Sequence, residues 1–437
     1  MKTVSVIGLW HLGLVNTVGF AEKGYKVNAI EFDKTKIKQL HKINLPLFEP
    51  GLEERVKKYL GLKTLTFTND PTAVKDSDFA VIAYDSPVDE KDQVDISPVV
   101  KAAELISPYL KLTTPVIITS QVPLGTCEKI EENVKKINPR WKSGVIYVPE
   151  NLRLGNAIDI FLKPDMIVLG ARVDLAKKSA LNLYKPFKTK KFLMDLRSAE
   201  MVKHALNAFL ATSITFGNEI ANLADRLGAD AVAVGTALKS DQRIGKAPIM
   251  PGLGFSGGTL ARDVEQLKKF ARNLKYKAPL LKSITEINEG TFDEVIAKLE
   301  KRTGQLKGKK IGILGLTYKP GTSTMKRSPA IKVINKLLAK KAYCLAYDPK
   351  ASLAELKTYA KEVKKEKTIE DLVKKSDALV LVTEWPEFQN LDFKKLAKIM
   401  KTPILIDAKN FLDPAVLNNS GFDYEGYGRG IVKGGHK

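Results

Sequence analysis

Short apolar runs alternating with helix-spaced segments constrain this chain more than any other feature. In the first third, residues 4–7, 27–30, 79–83, 116–119, 145–148 and 166–169 read as strands, and residues 17–22, 99–106 and 128–135 carry helical spacing. Strands separated by helices imply an α/β fold, a mostly parallel sheet covered on both faces. The plan returns near Lys309, with strands at 311–314, 343–347, 379–383 and 404–407 and a helix at 330–338. A helical middle separates the two. Residues 198–227 run without glycine except Gly217. There Met201, Ala205, Ala208, Phe209, Thr212, Phe216, Ile220, Leu223 and Leu227 form one stripe, expected to be buried. A segment of this length is expected to join two domains and to offer a subunit interface. The two α/β ends share a strand–glycine–helix plan, but the local matches do not make a sequence repeat. Residues 431–437 are polar and expected to be disordered.

Composition narrows the function classes. A chain of 437 residues can build two or three domains with real cores. No stretch has the length and polarity of a membrane span, and the apolar start runs straight into a glycine turn, so it reads as a first strand and not as a secretory signal. Two cysteines and four scattered histidines make neither a disulfide framework nor a zinc site. No metal is expected, and a reducing cytoplasm fits. The formal charge of +22 would attract nucleic acid or acidic metabolites. The lysines, however, are spread through every segment with no basic tail, so a solvated lysine-rich surface is expected and not a nucleic-acid role.

Gly8 and Gly13 follow the first strand and open a helix, where glycine permits a tight turn and lets backbone amides approach a pyrophosphate. Glu31 ends the next strand. Its carboxylate can accept hydrogen bonds from an adenosine ribose and disfavours a 2′-phosphate by charge, which argues for NAD over NADP. The middle glycine of the usual fingerprint is replaced by Trp10. Two outcomes stay open there: the indole folds aside and covers the cofactor, or it weakens binding. The turn alone is equally compatible with any α/β fold that needs a glycine. Lys203 and Asn207, four apart in a helical stretch, share one face. By spacing alone they are either a surface lysine with a capping asparagine or two polar groups converging on one substrate carbon.

Ordered motifs from Lys2 to Gly430 resemble those of the UDP-glucose/GDP-mannose dehydrogenase family. The segment from Val6 to Leu14 is similar to Val-Ile-Gly-x-Gly-Tyr-Val-Gly-Leu. Phe48-Glu49-Pro50-Gly51-Leu52 falls on Tyr-Glu-Pro-Gly-Leu, Ser86-Pro87 on Thr-Pro, and Ser120-Gln121-Val122-Pro123-Leu124-Gly125-Thr126 on Ser-Thr-Val-Pro-x-Gly-Thr. Pro149-Glu150-Asn151-Leu152-Arg153-Leu154-Gly155 resembles Pro-Glu-Phe-Leu-Arg-Glu-Gly. Glu200-Met201-Val202-Lys203, then Asn207-Ala208-Phe209, match the central helix, with Asn218-Glu219 and Arg243-Ile244-Gly245 further on. Lys319-Pro320-Gly321, Tyr347-Asp348-Pro349 and Asp407-Ala408-Lys409-Asn410 complete the set, Lys409 standing where arginine is usual.

The resemblance implies an N-terminal Rossmann-like NAD domain (residues 1–197), a central helical dimerisation region with a glycine-rich substrate loop (198–300) and a C-terminal Rossmann-like nucleotide-sugar domain (301–437). It places Gly8, Trp10, His11, Leu12, Gly13, Glu31, Ser86, Gln121 and Arg327 at the cofactor. It places Leu152, Phe255, Ser256, Gly257, Gly258, Lys319 and Lys409 at a UDP-sugar. The implied activity is oxidation of the sugar C6 alcohol by NAD. In it Lys203 and Asn207 stabilise the oxyanion, Asp263 takes the proton through water, and Glu150 is the base for a later hydrolysis. A homodimer is implied as well.

One departure bears on the chemistry. Relatives carry Gly-Phe-Gly-Gly-x-Cys-Phe-Pro-Lys-Asp, and the cysteine position here is Thr259. A thiol with a pKa of about 8.5 is a usable nucleophile at neutral pH, and a threonine hydroxyl titrates several units higher. The family's second oxidation runs through a thioester, which Thr259 cannot form. Cys127, at an expected helix start, is either a favoured thiolate or buried filler, and Cys344 is expected in the core. Two alternatives therefore accompany the dehydrogenase reading: a two-electron oxidoreductase or epimerase on a nucleotide sugar, and a catalytically silent nucleotide-sugar binder.

Overall fold

The computed structural model describes residues 1–85, 94–149, 151–256 and 258–430. The chain divides into two compact units, Met1–Ala205 and Leu206–Lys437. The first is built from β1 (Thr3–Ile7), α1 (His11–Glu22), β2 (Lys26–Ile30), β3 (Leu65–Thr68), β4 (Phe79–Ile82), β5 (Val116–Ile118), α2 (Thr126–Ile137), β6 (Val145–Tyr147), α3 (Ala157–Leu162), β7 (Ile167–Ala171) and β8 (Lys191–Met194), with further helices between. Its sheet runs β3-β2-β1-β4-β5-β6-β7-β8. Every described pairing is parallel except β6 with β7. The central strands β4, β5 and β6 are buried along their length, which is why they read as unbroken apolar runs. The edge strands β3 and β8 are partly exposed and carry polar residues, so periodicity does not reveal them.

A helix of 32 residues, α4 (Leu196–Leu227), carries the chain from the first unit into the second. There follow α5 (Ala231–Ser240), α6 (Leu260–Asn273), α7 (Pro279–Thr303), β9 (Lys310–Leu314), α8 (Pro329–Ala339), β10 (Tyr343–Tyr347), β11 (Lys364–Lys365), β12 (Ala378–Leu381), β13 (Ile404–Asp407) and β14 (Asp423–Gly426). The second sheet is wholly parallel in the order β11-β10-β9-β12-β13-β14. All strands expected from the apolar runs are present, with ends shifted by one or two residues. The tail 431–437 lies outside the described residues.

The stripe on α4 needs correcting. Met201, Phe209, Phe216, Leu223 and Leu227 are exposed in this chain, and of the stripe only Ala208 is buried. The buried face instead carries Glu200, Lys203, His204, Asn207, Ala211, Thr215, Asn218, Ala221 and Ala224. Helical periodicity shows that two faces differ; it does not show which one the rest of the chain covers. Small side chains let neighbours approach this face. A Cβ on Gly217 would stand 2.2 Å from the Ile249 carbonyl oxygen. Two of its polar side chains make specific bonds to backbone amides. Glu200 accepts from the amides of Gly125 (2.6 Å) and Cys127 (2.9 Å) at the start of α2, and Asn218 Oδ1 accepts from the amide of Gly252 (3.1 Å).

Candidate active site

The glycine turn after β1 is built as a dinucleotide turn. Gly8 adopts φ +91°, its amide donates to the Ile30 carbonyl (2.9 Å), and Tyr84 packs where a Cβ would stand. A Cβ on Gly13 would lie 1.6 Å from the Gly8 carbonyl oxygen, so only glycine lets α1 start this close to the strand. The first turn of α1 holds no acidic residue, and Trp10 at its N-cap makes no side-chain capping bond. The helix terminus therefore presents amides and a positive dipole end, which suits a pyrophosphate. Glu31 is buried, and its carboxylate accepts from the amides of Leu9 (3.1 Å) and Asp33 (3.2 Å), which locks it beside the turn. These residues fit NAD. Trp10 is half exposed beside them.

His11, expected at the cofactor, has its ring buried and bonded through Nε2 to Glu49 Oε2 (2.9 Å). Glu49 also accepts from the amides of Gly155 (2.9 Å) and Ala157 (2.8 Å), and so caps α3. Burial works to raise this carboxyl, but the two amides and the His11 ring outweigh it and hold the group below its ordinary value. Sequence reasoning gave Glu49 no role; its place in the Glu-Pro-Gly motif was the available signal. Leu12 is buried in α1, and the partly buried Leu152 packs on the core of the same unit. Gln121 lies part-buried in the loop after β5. Ser86 and Glu150 lie outside the described residues.

On α4, Lys203 and Asn207 stand one turn apart on the buried face. Lys203 Nζ donates to Asn151 Oδ1 (3.0 Å), and Asn207 Nδ2 donates to Asp263 Oδ2. Asp263 is fully buried in the first turn of α6, its amide bonded to the Thr259 carbonyl (3.2 Å). Thr259 is the N-cap of α6, exposed and without a side-chain capping bond. The direct hydrogen bond between Asn207 and Asp263 was not foreseen from the sequence. Asn151, the partner of Lys203, was not foreseen.

The glycine-rich loop before α6 is fixed by its backbone. Leu253 donates to the Ala408 carbonyl (2.6 Å), Gly254 to Thr291 Oγ1 (3.2 Å), and the Phe255 carbonyl accepts from Asn288 Nδ2 (3.2 Å). The Phe255 ring packs with Ala208, Ala211, Val264 and Ile284. Ser256 is part-buried, and Gly257 lies outside the described residues. A Cβ on Gly258 would come within 3.3 Å of Arg327 Nη1, so Arg327, expected at the cofactor, stands beside the substrate loop. Lys409 follows Ala408 and pairs with Glu384 (3.3 Å), and Lys319 is part-buried in the long loop after β9. The root of the loop and the segment carrying Lys409 are therefore brought together.

Neither cysteine replaces Thr259. Burial, with Glu200 beside it, pushes the Cys127 thiol well up, so the favoured-thiolate alternative fails. Burial pushes the Cys344 thiol up to about 12.

A glycine turn with a buried acid locked beside it, together with a buried Lys–Asn pair and a partnered aspartate, fits an NAD-dependent oxidoreductase. Family descriptions match three segments of the chain: the NAD binding domain at residues 2–188, the central domain at 197–290 and the UDP binding domain at 312–414. The chain belongs to the UDP-glucose/GDP-mannose dehydrogenase family. UDP-glucose 6-dehydrogenase TuaD of Bacillus subtilis is 34% identical over 436 residues, covering 99% of this chain and 95% of its own. The UDP-glucose 6-dehydrogenase of Rhizobium meliloti is 35% identical over 434 residues, covering 98% and 99%. Among solved structures, a UDP-glucose dehydrogenase from Pyrobaculum islandicum superposes with a TM-score of 0.86 at 30% identity, covering 98% of each chain. These matches favour a nucleotide-sugar dehydrogenase over the epimerase and the silent binder.

Proposed function

We propose that this chain oxidises the C6 alcohol of UDP-glucose. The observation that carries the reading is the buried Lys203–Asn207 pair on one helix face, with Asn207 bonded to the buried Asp263. NAD, when bound at the Gly8–Gly13 turn, supplies the hydride acceptor. As the hydroxyl proton leaves, negative charge grows on the alcohol oxygen, and the ammonium of Lys203 and the amide of Asn207 stabilise the alkoxide from which the hydride departs. The bond to Asn151 helps fix the Lys203 ammonium at this point of the helix. Asp263 takes the alcohol proton through water, and the loop from Pro251 to Gly258 with Arg327, Lys319 and Lys409 holds the nucleotide. Glu150 is assigned as the base of a later hydrolytic step by its place in the motif alone.

Purified chain, NAD and a panel of UDP-sugars test the reading, with NADH counted per sugar consumed. Two NADH per sugar means the acid; one means the aldehyde, the outcome that Thr259 favours. No NADH and no changed sugar, with the sugar nucleotide bound, removes the reading. Lys203→Ala should lower kcat by about 10²–10³-fold; unchanged turnover in a folded variant would remove Lys203 from the site.

The exposed residues Met201, Phe209, Phe216 and Leu223 on α4 support a homodimer formed through this helix. Sedimentation of wild type against Phe209→Glu tests it: the substituted chain should be monomeric. Among the described residues no helix is long and apolar enough to cross a membrane, and both cysteines are free. These facts are compatible with the cytoplasm, where NAD and nucleotide sugars are available.

A further inference from the structure

The root of the substrate loop and the end of the second sheet share one side chain. Asn410 follows β13 in the left-handed region, φ +51°, which asparagine tolerates better than most residues. Its Nδ2 donates to the Pro251 carbonyl (3.1 Å) at the start of the loop and to the Tyr427 carbonyl (2.7 Å) beyond β14. Its Oδ1 accepts from Arg429 Nε (3.2 Å), and Arg429 is held by Asp230 (3.2 Å), the N-cap of α5. Both donors and the acceptor are engaged, so the amide cannot turn over without losing bonds on both sides. Gly426 leaves room for it, since a Cβ there would stand 2.5 Å from Asn410 Oδ1. Two residues earlier, the Ala408 carbonyl takes the amide of Leu253, and between them Lys409 projects its paired ammonium. Loop root, Lys409 and the segment after β14 are therefore one hydrogen-bonded body centred on Asn410.

We propose that Asn410 is a positioning residue for nucleotide-sugar binding, fixing the spacing between Lys409 and the glycine-rich loop. The inference rests on the reading of that loop as the nucleotide-sugar site. It separates binding from chemistry, because Asp263 is held independently by Asn207. Glycine at 410 keeps the left-handed backbone and removes only the side-chain bonds.

The test uses the full chain. UDP alone and NAD are titrated separately by calorimetry, and steady-state kinetics are run with UDP-glucose, for wild type and Asn410→Gly. The Kd for UDP and the KM for UDP-glucose should rise about tenfold, the scale of one or two lost hydrogen bonds. The Kd for NAD should stay within about twofold, and kcat should change far less than KM. A lower Tm with unchanged UDP affinity and unchanged KM would make Asn410 merely structural and overturn the proposal. A fall in kcat at constant KM would overturn it too. If the glycine variant does not fold, Arg429→Met frees Oδ1 and lets the amide turn. A smaller rise in the UDP Kd is then expected, and no rise overturns the proposal. A wild type that binds UDP but oxidises no UDP-sugar would defeat the dehydrogenase reading, while the UDP affinities would still decide the role of Asn410.

Discussion

The two sheets are wound alike, and the turn at the head of each is wired alike, yet the acids beside the two turns are bonded differently. Strand order β3-β2-β1-β4-β5-β6 in the first repeats as β11-β10-β9-β12-β13-β14 in the second. Gly8 and Gly315 have φ of +91° and +92°, and each donates its amide at 2.9 Å to the last residue of the next strand, Ile30 or Tyr347. The residue after that strand is an acid in both, Glu31 or Asp348, and it accepts from the amide following the glycine, Leu9 or Leu316. The difference lies in what else the acid takes. Among the described residues Glu31 accepts two amides. Asp348 accepts from Leu316, the amide and hydroxyl of Thr317, the Trp385 indole, and the amides of Lys350 and Ala351. A carboxylate offers about four acceptor positions. Asp348 is saturated by its own fold, whereas Glu31 keeps capacity for ribose hydroxyls. One architecture thus leaves an acid with open acceptor positions at the first turn and a saturated one at the second.

Substitutions can break that contrast. The largest effect is expected from Gly13→Ala, whose Cβ would meet the Gly8 carbonyl at 1.6 Å. Relieving such overlap should cost about 3 kcal/mol or more and abolish measurable NAD binding by calorimetry, while UDP binding persists. Persistent NAD binding would show that this turn does not hold the cofactor. Next come the paired acids. Asp348→Asn turns an amide donor toward other donors and should cost about 3 kcal/mol in urea unfolding without changing NAD affinity. Glu31→Gln should instead weaken NAD by about tenfold and cost stability less than Asp348→Asn does. If both variants lose only stability, the distinction between the two turns fails.

The smallest effect is a pH dependence on the cofactor side. The Glu49 carboxyl is held below its ordinary value of 4.5, so the stability it contributes is complete above that pH. It drains away as pH falls through the lower folded value. Glu49→Gln should flatten this acid limb in unfolding measured against pH; an identical acid limb would show that Glu49 does not contribute it.

Much of this was legible in the sequence. Buried parallel strands are apolar on both faces, so β4, β5, β12 and β13 announced themselves, and Gly8, Gly13, Lys203, Asn207 and Asp263 could be placed by spacing and motif. Asn151, Glu49 and Asn410 sat inside quoted motifs, but their partners lie 52, 38 and 159 residues away, and no local pattern reveals such pairing. The α4 stripe was misjudged because amphipathicity does not name the neighbour.

Sequence by itself determined two α/β ends joined by a long helix, a glycine turn after the first strand with an acid ending the second, and a threonine at position 259 where relatives carry the thiol. These follow from local steric needs and side-chain chemistry. Tertiary structure alone decided which face of α4 is buried, that Asn207 and Asp263 share a hydrogen bond, and that Asp348 is spent while Glu31 is not. Each of those depends on groups distant in the chain, brought together only when the sheets close.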